Sequence, residues 1–350
     1  MTQLNKQSVL CVDFGLDRLT VLEVNTNGIS GWSIRDLPPR VVRNGDPVDP
    51  SQVAKLLKQA IKENGLSAVR ARFTLPDEAA IFRLVELPAM PRRHVQRALT
   101  YMLDKDVPLP LDRICWDWDV MEKTDIGYRV CVVAAWRDVI ERITRVASEA
   151  GLQLELVEPR SLATARALDY DCVAVFDSSA ERLQTLYLKR GAIPFVDQAP
   201  AGRDIETCAR TLERLLRKGR TVEDEGESNE MVVVLGGDLE DLELPLSMPA
   251  RPVSQVLDEQ ARQHLQGLPS GSLLANLGMA DEVVRGYRPG RVGIADVNLL
   301  GYGTSGRQQM QRRFKRFRAV SALRVGSAAR QFGGAAKSGW FGRVRPRFAR

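Results

Sequence analysis

The sequence predicts an α/β protein of two lobes, with a smaller α+β subdomain inserted in the chain between them. Two observations carry that expectation. An apolar strand that turns into a β-hairpin and leads on to an amphipathic helix stands near the N-terminus, and the same succession recurs after residue 170. Between the two copies, residues 76 to 157 alternate helices with strands of their own. The chain has 350 residues, 44% of them hydrophobic and 27% charged, enough to bury two cores of ordinary size.

Residues 8 to 34 read as three strands (VLCVD, LTVLEVN and GISGWSI) with turns between them, an antiparallel meander. Asp49 as N-cap followed by Pro50 opens a helix whose Val53, Leu56, Leu57, Ala60 and Ile61 share one face, and Gly65 closes it. Strands at 69–74 and 79–87 follow, then a helix carrying Val95, Leu99, Met102 and Leu103. A VPLPLD break leads to a hairpin of 114–120 with 128–135, and a helix at 137–150 ends at Gly151. Strands resume at 152–157, 172–177, 183–188 and 192–195, before a helix with Ile205, Cys208, Leu212 and Leu215. Met231 to Leu235 reads as a buried central strand meeting a tight turn at Gly236-Gly237. The expected division is 1–75 for the N-terminal part of the first lobe, 76–157 for the inserted subdomain, 158–303 for the rest of the body with the second lobe, and 304–350 for a basic tail.

Charge is divided along the chain. The formal net charge is +6, yet thirteen of the fifty Lys and Arg and none of the 44 Asp and Glu fall in 304–350, so the remainder carries 37 basic against 44 acidic residues, a net of −7. A nucleic-acid reading therefore has only the tail to rest on. The five cysteines fall in no metal-like or CxxC spacing and sit among apolar neighbours, as buried thiols of a reducing compartment do. No run of about 18 apolar residues and no signal-peptide pattern occurs, so the expectation is a cytoplasmic protein that meets a membrane only peripherally. His94 and His264, far apart, leave no material for a His-centred catalytic or metal site, and no catalytic residue is assigned.

Three turns are candidates for phosphate chemistry. Asp13-Phe14-Gly15 follows an apolar strand, where glycine permits close approach to phosphate and the carboxylate can hold hydrated Mg²⁺. Asp177-Ser178-Ser179 follows a second such strand, and Gly236-Gly237 a third. In this order they resemble the nucleotide signature of the actin, sugar-kinase and heat-shock chaperone superfamily. Within it the first 300 residues look most like the type IV pilus assembly protein PilM family, which is related to the cytoplasmic domain of the type II secretion protein GspL. The likeness is carried by Val12 to Val24, Asn44-Gly45-Asp46, Phe73-Thr74-Leu75-Pro76, Phe82-Arg83 and Glu86 to Met90. It continues in Val107 to Pro110, Ala150-Gly151-Leu152 and Glu158-Pro159. The resemblance implies an actin-like, ribonuclease H-like body that serves as a scaffold, with ATP and Mg²⁺ as cofactors. It also implies a groove for an Asn-Leu-Leu segment of a PilN-like inner-membrane partner and other components of a pilus or secretion platform; self-association with further copies of the chain is left open.

The sequence departs from that pattern in three places. The usual Gly-Ser/Thr is Gly15-Leu16-Asp17, and the second Asp-x-Gly has lost its glycine; an added carboxylate repels phosphate and a side chain obstructs its approach, although Arg18 and Arg182 offset some charge. Nucleotide binding and its absence both stay open here, and a nucleotide-regulated ATPase is the alternative to the scaffold. The second departure is Val297-Asn298-Leu299-Leu300, which looks like the partner's peptide present in this chain; it either fills the groove or matches by chance. The third is the tail, where Phe314 and Phe317 share helical spacing with Met310 and Val320 beside Arg312, Arg313, Lys315, Arg316 and Arg318. That pattern suits an in-plane helix on an anionic membrane, with loose RNA binding or a solvated tail as the other readings.

Overall fold

The computed structural model of the chain describes residues 8–300 apart from 15–16, 44–45, 107–109, 169, 171, 179–181, 190–192, 201–204, 222–231, 237–238, 240–242, 244, 248–249, 258–268 and 286–294. The strands are β1 (Val9–Phe14), β2 (Arg18–Asn25), β3 (Gly28–Asp36), β4 (Arg70–Leu75), β5 (Ala80–Pro88), β6 (Ile114–Lys123) and β7 (Gly127–Trp136). They continue as β8 (Gln153–Pro159), β9 (Cys172–Ser178), β10 (Arg182–Lys189), β11 (Phe195–Pro200), β12 (Val232–Leu235) and β13 (Ala250–Pro252). The helices are α1 (Pro50–Glu63), α2 (Arg92–Asp106), α3 (Arg137–Ala150), α4 (Arg160–Leu168), α5 (Ile205–Thr221), α6 (Val253–Val256) and α7 (Leu274–Arg285).

Two five-stranded sheets have one topology. Their orders are β3-β2-β1-β4-β8 and β11-β10-β9-β12-β13; in each, an antiparallel meander is extended by two parallel strands. β1 lies at the centre of its sheet and is buried on both faces. Leu10, Val12 and Phe14 meet α1 and α3 through Val53, Leu57, Ile140 and Ile143, while Val9 and Cys11 meet α4 and α7 through Ala163, Ala275 and Met279. In the second sheet Cys172, Ala174 and Phe176 meet Cys208 and Leu212 of α5. Val173 and Val175 turn the other way, toward Leu168 of α4 and Leu274 of α7. Helices α4 and α7 are thus a layer shared by both sheets, a pair the sequence reading did not contain.

The shared layer is tightly built. A Cβ on Gly278 of α7 would overlap the Ala163 carbonyl of α4, so the helices touch backbone to backbone. Asn276, fully buried, donates from Nδ2 to the carbonyls of Cys11 (2.8 Å) and Thr20 (3.2 Å) and accepts from the Thr20 hydroxyl at 2.9 Å. These bonds satisfy a buried amide and fasten α7 to the first sheet.

The third sheet, β5-β7-β6, is antiparallel; α2 covers one face through Val95, Leu99 and Leu103, and Cys131, Val133 and Ala135 on the other face join the core of the first lobe. β8 pairs in parallel with β4, and α3 packs on α1, so the final part of 76–157 goes into the first lobe while the third sheet spans residues 80 to 136. The turn chemistry is as read from the sequence. The Asp49 carboxylate accepts from the Gln52 N–H at 3.0 Å, and Gly65 and Gly151 follow their helices at φ of 63° and 80°. All five cysteines are buried thiols outside any disulfide, and burial pushes those of Cys11 and Cys131 up to about 12.

Candidate functional site

β1 and β9 hold the same place in the two sheets, and each carries an aspartate near its C-terminal end. The chain joins them through one arginine. At the first residue of α4, Arg160 donates from Nε to Asp13 Oδ2 (3.1 Å), from Nη2 to Asp177 Oδ2 (2.8 Å) and from Nη1 to Gln184 Oε1 (2.7 Å). The Thr74 hydroxyl donates to the other oxygen of Asp13, which is 1% exposed. Burial alone would lower the pKa of the Arg160 guanidinium; the charges of Asp13 and Asp177 outweigh it and hold the group above its ordinary value.

The arginine is aimed by its helix. Asp77, just after β4, accepts from the Ser161 N–H through both oxygens (3.2 and 3.1 Å) and from the Ser161 hydroxyl, which gives an N–H at the helix start its acceptor. Burial pushes the Asp77 carboxyl up to about 7 against the pull of those bonds. One turn further, Arg166 pairs with the buried Glu158.

Of the residues predicted for phosphate contact, Asp13 and Asp177 are brought together. Arg18 forms an ion pair with Asp36 at 3.6 Å. The Gly236 N–H donates to the Phe176 carbonyl at 2.7 Å, which sets the turn after β12 beside the end of β9, and the Gly271 carbonyl oxygen would lie 3.4 Å from a Cβ there. Gly15, Ser179, Gly237 and the side chain of Arg182 lie outside the described residues. Sequence reasoning missed Arg160. The sequence carried no direct signal for it, because the helix that it opens shows no apolar stripe by which to place it.

The described side chains around Arg160, as they are bonded, do not fit magnesium and a nucleotide. Mg²⁺ demands near-octahedral oxygen ligands at about 2.0–2.1 Å and keeps several waters. Both oxygens of Asp13 are already bonded within protein, and Asp177 shares its guanidinium, so among the described side chains of the site a phosphate would meet two carboxylates balanced by one arginine. Among the described residues no group of three or more His, Cys, Asp and Glu is placed to hold a metal ion.

A second constellation lies between the first and third sheets. The segment 295–300 runs beside the edge strand β8 and bonds to it and to β6. The Asn298 side chain donates to the Glu155 carbonyl (2.8 Å) and accepts from the N–H of Val157 (3.2 Å) and of Leu300 (3.1 Å), while the Leu299 N–H donates to the Val157 carbonyl (2.9 Å). On the other side, Asp117 and Asp119 of β6 accept from the N–H of Asn298 (2.8 Å) and Asp296 (3.0 Å). Ala295, Val297 and Leu299 are buried in the core of the first lobe, and Leu300 packs on it. The tail residues Arg312, Arg313, Phe314, Lys315, Arg316, Phe317 and Arg318 lie outside the described residues.

Two sheets of like topology around a shared helical layer, with aspartates of their central strands facing each other, define an actin-like fold. A solved structure described as the PilM-PilN type IV pilus biogenesis complex shares it, with a TM-score of 0.63 at 19% identity over 79% of this chain and 98% of that one. The cytoplasmic domain of EpsL, an inner membrane component of the type II secretion system of Vibrio cholerae, matches with a TM-score of 0.48 at 15% identity over 84% of this chain and 97% of that one. A protein of actin-like ATPase fold and unknown function from Bacteroides thetaiotaomicron gives 0.41 at 11% identity, covering 75% and 96%. No curated protein matches the sequence. The profile of the family described as type IV pilus assembly protein PilM matches residues 12–188, just over half of the chain, and the chain belongs to that family.

Proposed function

We propose that this chain is a scaffold of a type IV pilus or type II secretion-like inner-membrane platform, acting from the cytoplasmic side. We further propose that its groove for an Asn-Leu-Leu peptide takes residues 295–300 of its own chain. The observation that carries the reading is the bonding of Asn298. One carboxamide meets a carbonyl and an N–H of β8, as a β-augmenting peptide would, while two buried carboxylates on β6 accept the alternate N–H groups of the segment. Family membership supports the platform role, and the PilN partner in the similar complex supports a groove of this kind. An attached peptide competes at an effective concentration of order millimolar, so it excludes a free partner of ordinary affinity unless that partner displaces it. Among the described residues no helix is long and apolar enough to cross a membrane; contact with the bilayer is assigned to the basic tail.

The test is anisotropy of a labelled peptide, Ala-Asp-Val-Asn-Leu-Leu, added to the wild-type chain and to an Asn298→Ala/Leu299→Ala variant. The wild type is expected to leave the peptide free, and the variant to take it up at micromolar concentration and regain stability. Equal uptake by both proteins, or none by either, removes the reading.

A further inference from the structure

We propose that Arg160 is a resident cation between the lobes, which does with a side chain what a bound metal and phosphate would otherwise do, so that contact between the lobes in this chain is independent of nucleotide. The guanidinium is 14% exposed, and its three nitrogens go to three different acceptors, one on β1 and two on the β9–β10 hairpin. One planar side chain thereby reaches both central strands at once: Nε and Nη2 lie on one edge of the fork and take one aspartate each, leaving Nη1 for Gln184. The bridge is also rigid at its base, because Arg160 opens the helix that Asp77 caps, that Arg166 ties to Glu158, and that Gly278 lets α7 approach.

Electrostatics makes the bridge a necessity rather than an ornament. Asp13 is almost wholly buried, and an isolated carboxylate there is costly unless paired. A nucleotide-loaded cleft would supply that pairing only while occupied; an arginine supplies it permanently. The carboxylates that the sequence marks as magnesium ligands thus become the two ends of an interlobe ion bridge.

The test uses thermal unfolding of the full chain with and without millimolar Mg-ATP, for the wild type, for Arg160→Met, and for Arg160→Met combined with Asp13→Asn and Asp177→Asn. Methionine keeps the bulk of the chain and removes the charge. The wild type is expected to show no rise in Tm with Mg-ATP. Arg160→Met is expected to lose roughly 6–15 °C, since breaking a buried pair strands its partners, and the triple variant to recover at least half of that loss. A wild type stabilised by Mg-ATP overturns the proposal, as does an Arg160→Met variant with an unchanged Tm. Where Arg160→Met does not fold, the triple variant decides: folding with a cooperative transition supports the bridge, and failure to fold overturns it.

Discussion

Asp77 shows how the site at the head of α4 answers to pH. Its carboxyl is turned onto Ser161, with the charges of Glu78 and Arg160 nearby, and burial raises it from 3.8 to about 7. Because the folded-state value lies above that of an unstructured aspartate, the unfolded chain gives up this proton first as pH rises. The contribution of Asp77 to stability is therefore full below about pH 4, declines between about pH 4 and 7, and is constant above. Glu158, raised chiefly by burial against the opposing charge of Arg166, has the same sign. Unfolding midpoints in urea between pH 4.5 and 7.5 are expected to fall with pH, and Asp77→Asn to flatten that slope; an Asp77→Asn profile parallel to the wild type would show that the carboxyl does not titrate in this range. At this scale the sequence exposed half of the interlobe constellation. Asp13 and Asp177 are legible because each ends an apolar strand before a turn, whereas Arg160 lies in neither motif and meets them only through the placing of a helix. Asn298 was legible from its own side, as an Asn before two leucines, but the aspartates of β6 that accept from its segment alternate with tryptophans in what reads as an ordinary strand.

Among the helices, those with one buried face were readable and those buried on two were not. α1, α3 and α5 each lie on the outside of a sheet, so their apolar residues keep helical spacing; the β1–β2–β3 meander and the β6–β7 hairpin announce themselves by their turns. α4 and α7 sit between two sheets, their sequences RSLATARAL and LANLGMADEVVR are small-residue-rich, and no stripe sets one face apart. What these helices need is thinness, which makes Gly278 a testable point. Alanine in a helix interior is favoured over glycine by about 0.5–1 kcal/mol, but a Cβ here would overlap the Ala163 carbonyl, backbone that cannot swing aside, and overpacking of that kind costs typically 1–3 kcal/mol or more. The clash is expected to win. Gly278→Ala should unfold at a lower temperature than the wild type, and by more than Gly65→Ala, where φ of 63° imposes strain but nothing lies within 4 Å. Equal effects at the two sites would mean that α7 yields.

At the scale of the whole molecule, the segment 295–300 fixes the point from which the chain continues. Residues 295–300 are held between the first and third sheets, so whatever follows Leu300 starts from that seam, next to the carboxylates of β6. The division of charge then has a direction: a body of net −7 is repelled by an anionic leaflet, while a segment with thirteen basic and no acidic residues is drawn to it. Five of those basic residues fall between 312 and 318 beside Phe314 and Phe317. At about 1 kcal/mol for each basic residue near an anionic surface, they outweigh the repulsion of a body held a Debye length, about 10 Å, or more away at 0.1 M salt. Co-sedimentation of the full chain with vesicles containing anionic lipid is therefore expected, decreasing as salt is raised, with little on neutral vesicles, and a chain ending at Gly303 is expected to stay in solution with either. Pelleting of both chains would move the membrane contact to the body. Pelleting of neither, with retention of the full chain on RNA at the same salt, would give the tail a nucleic-acid partner and leave the scaffold to reach the membrane through another protein.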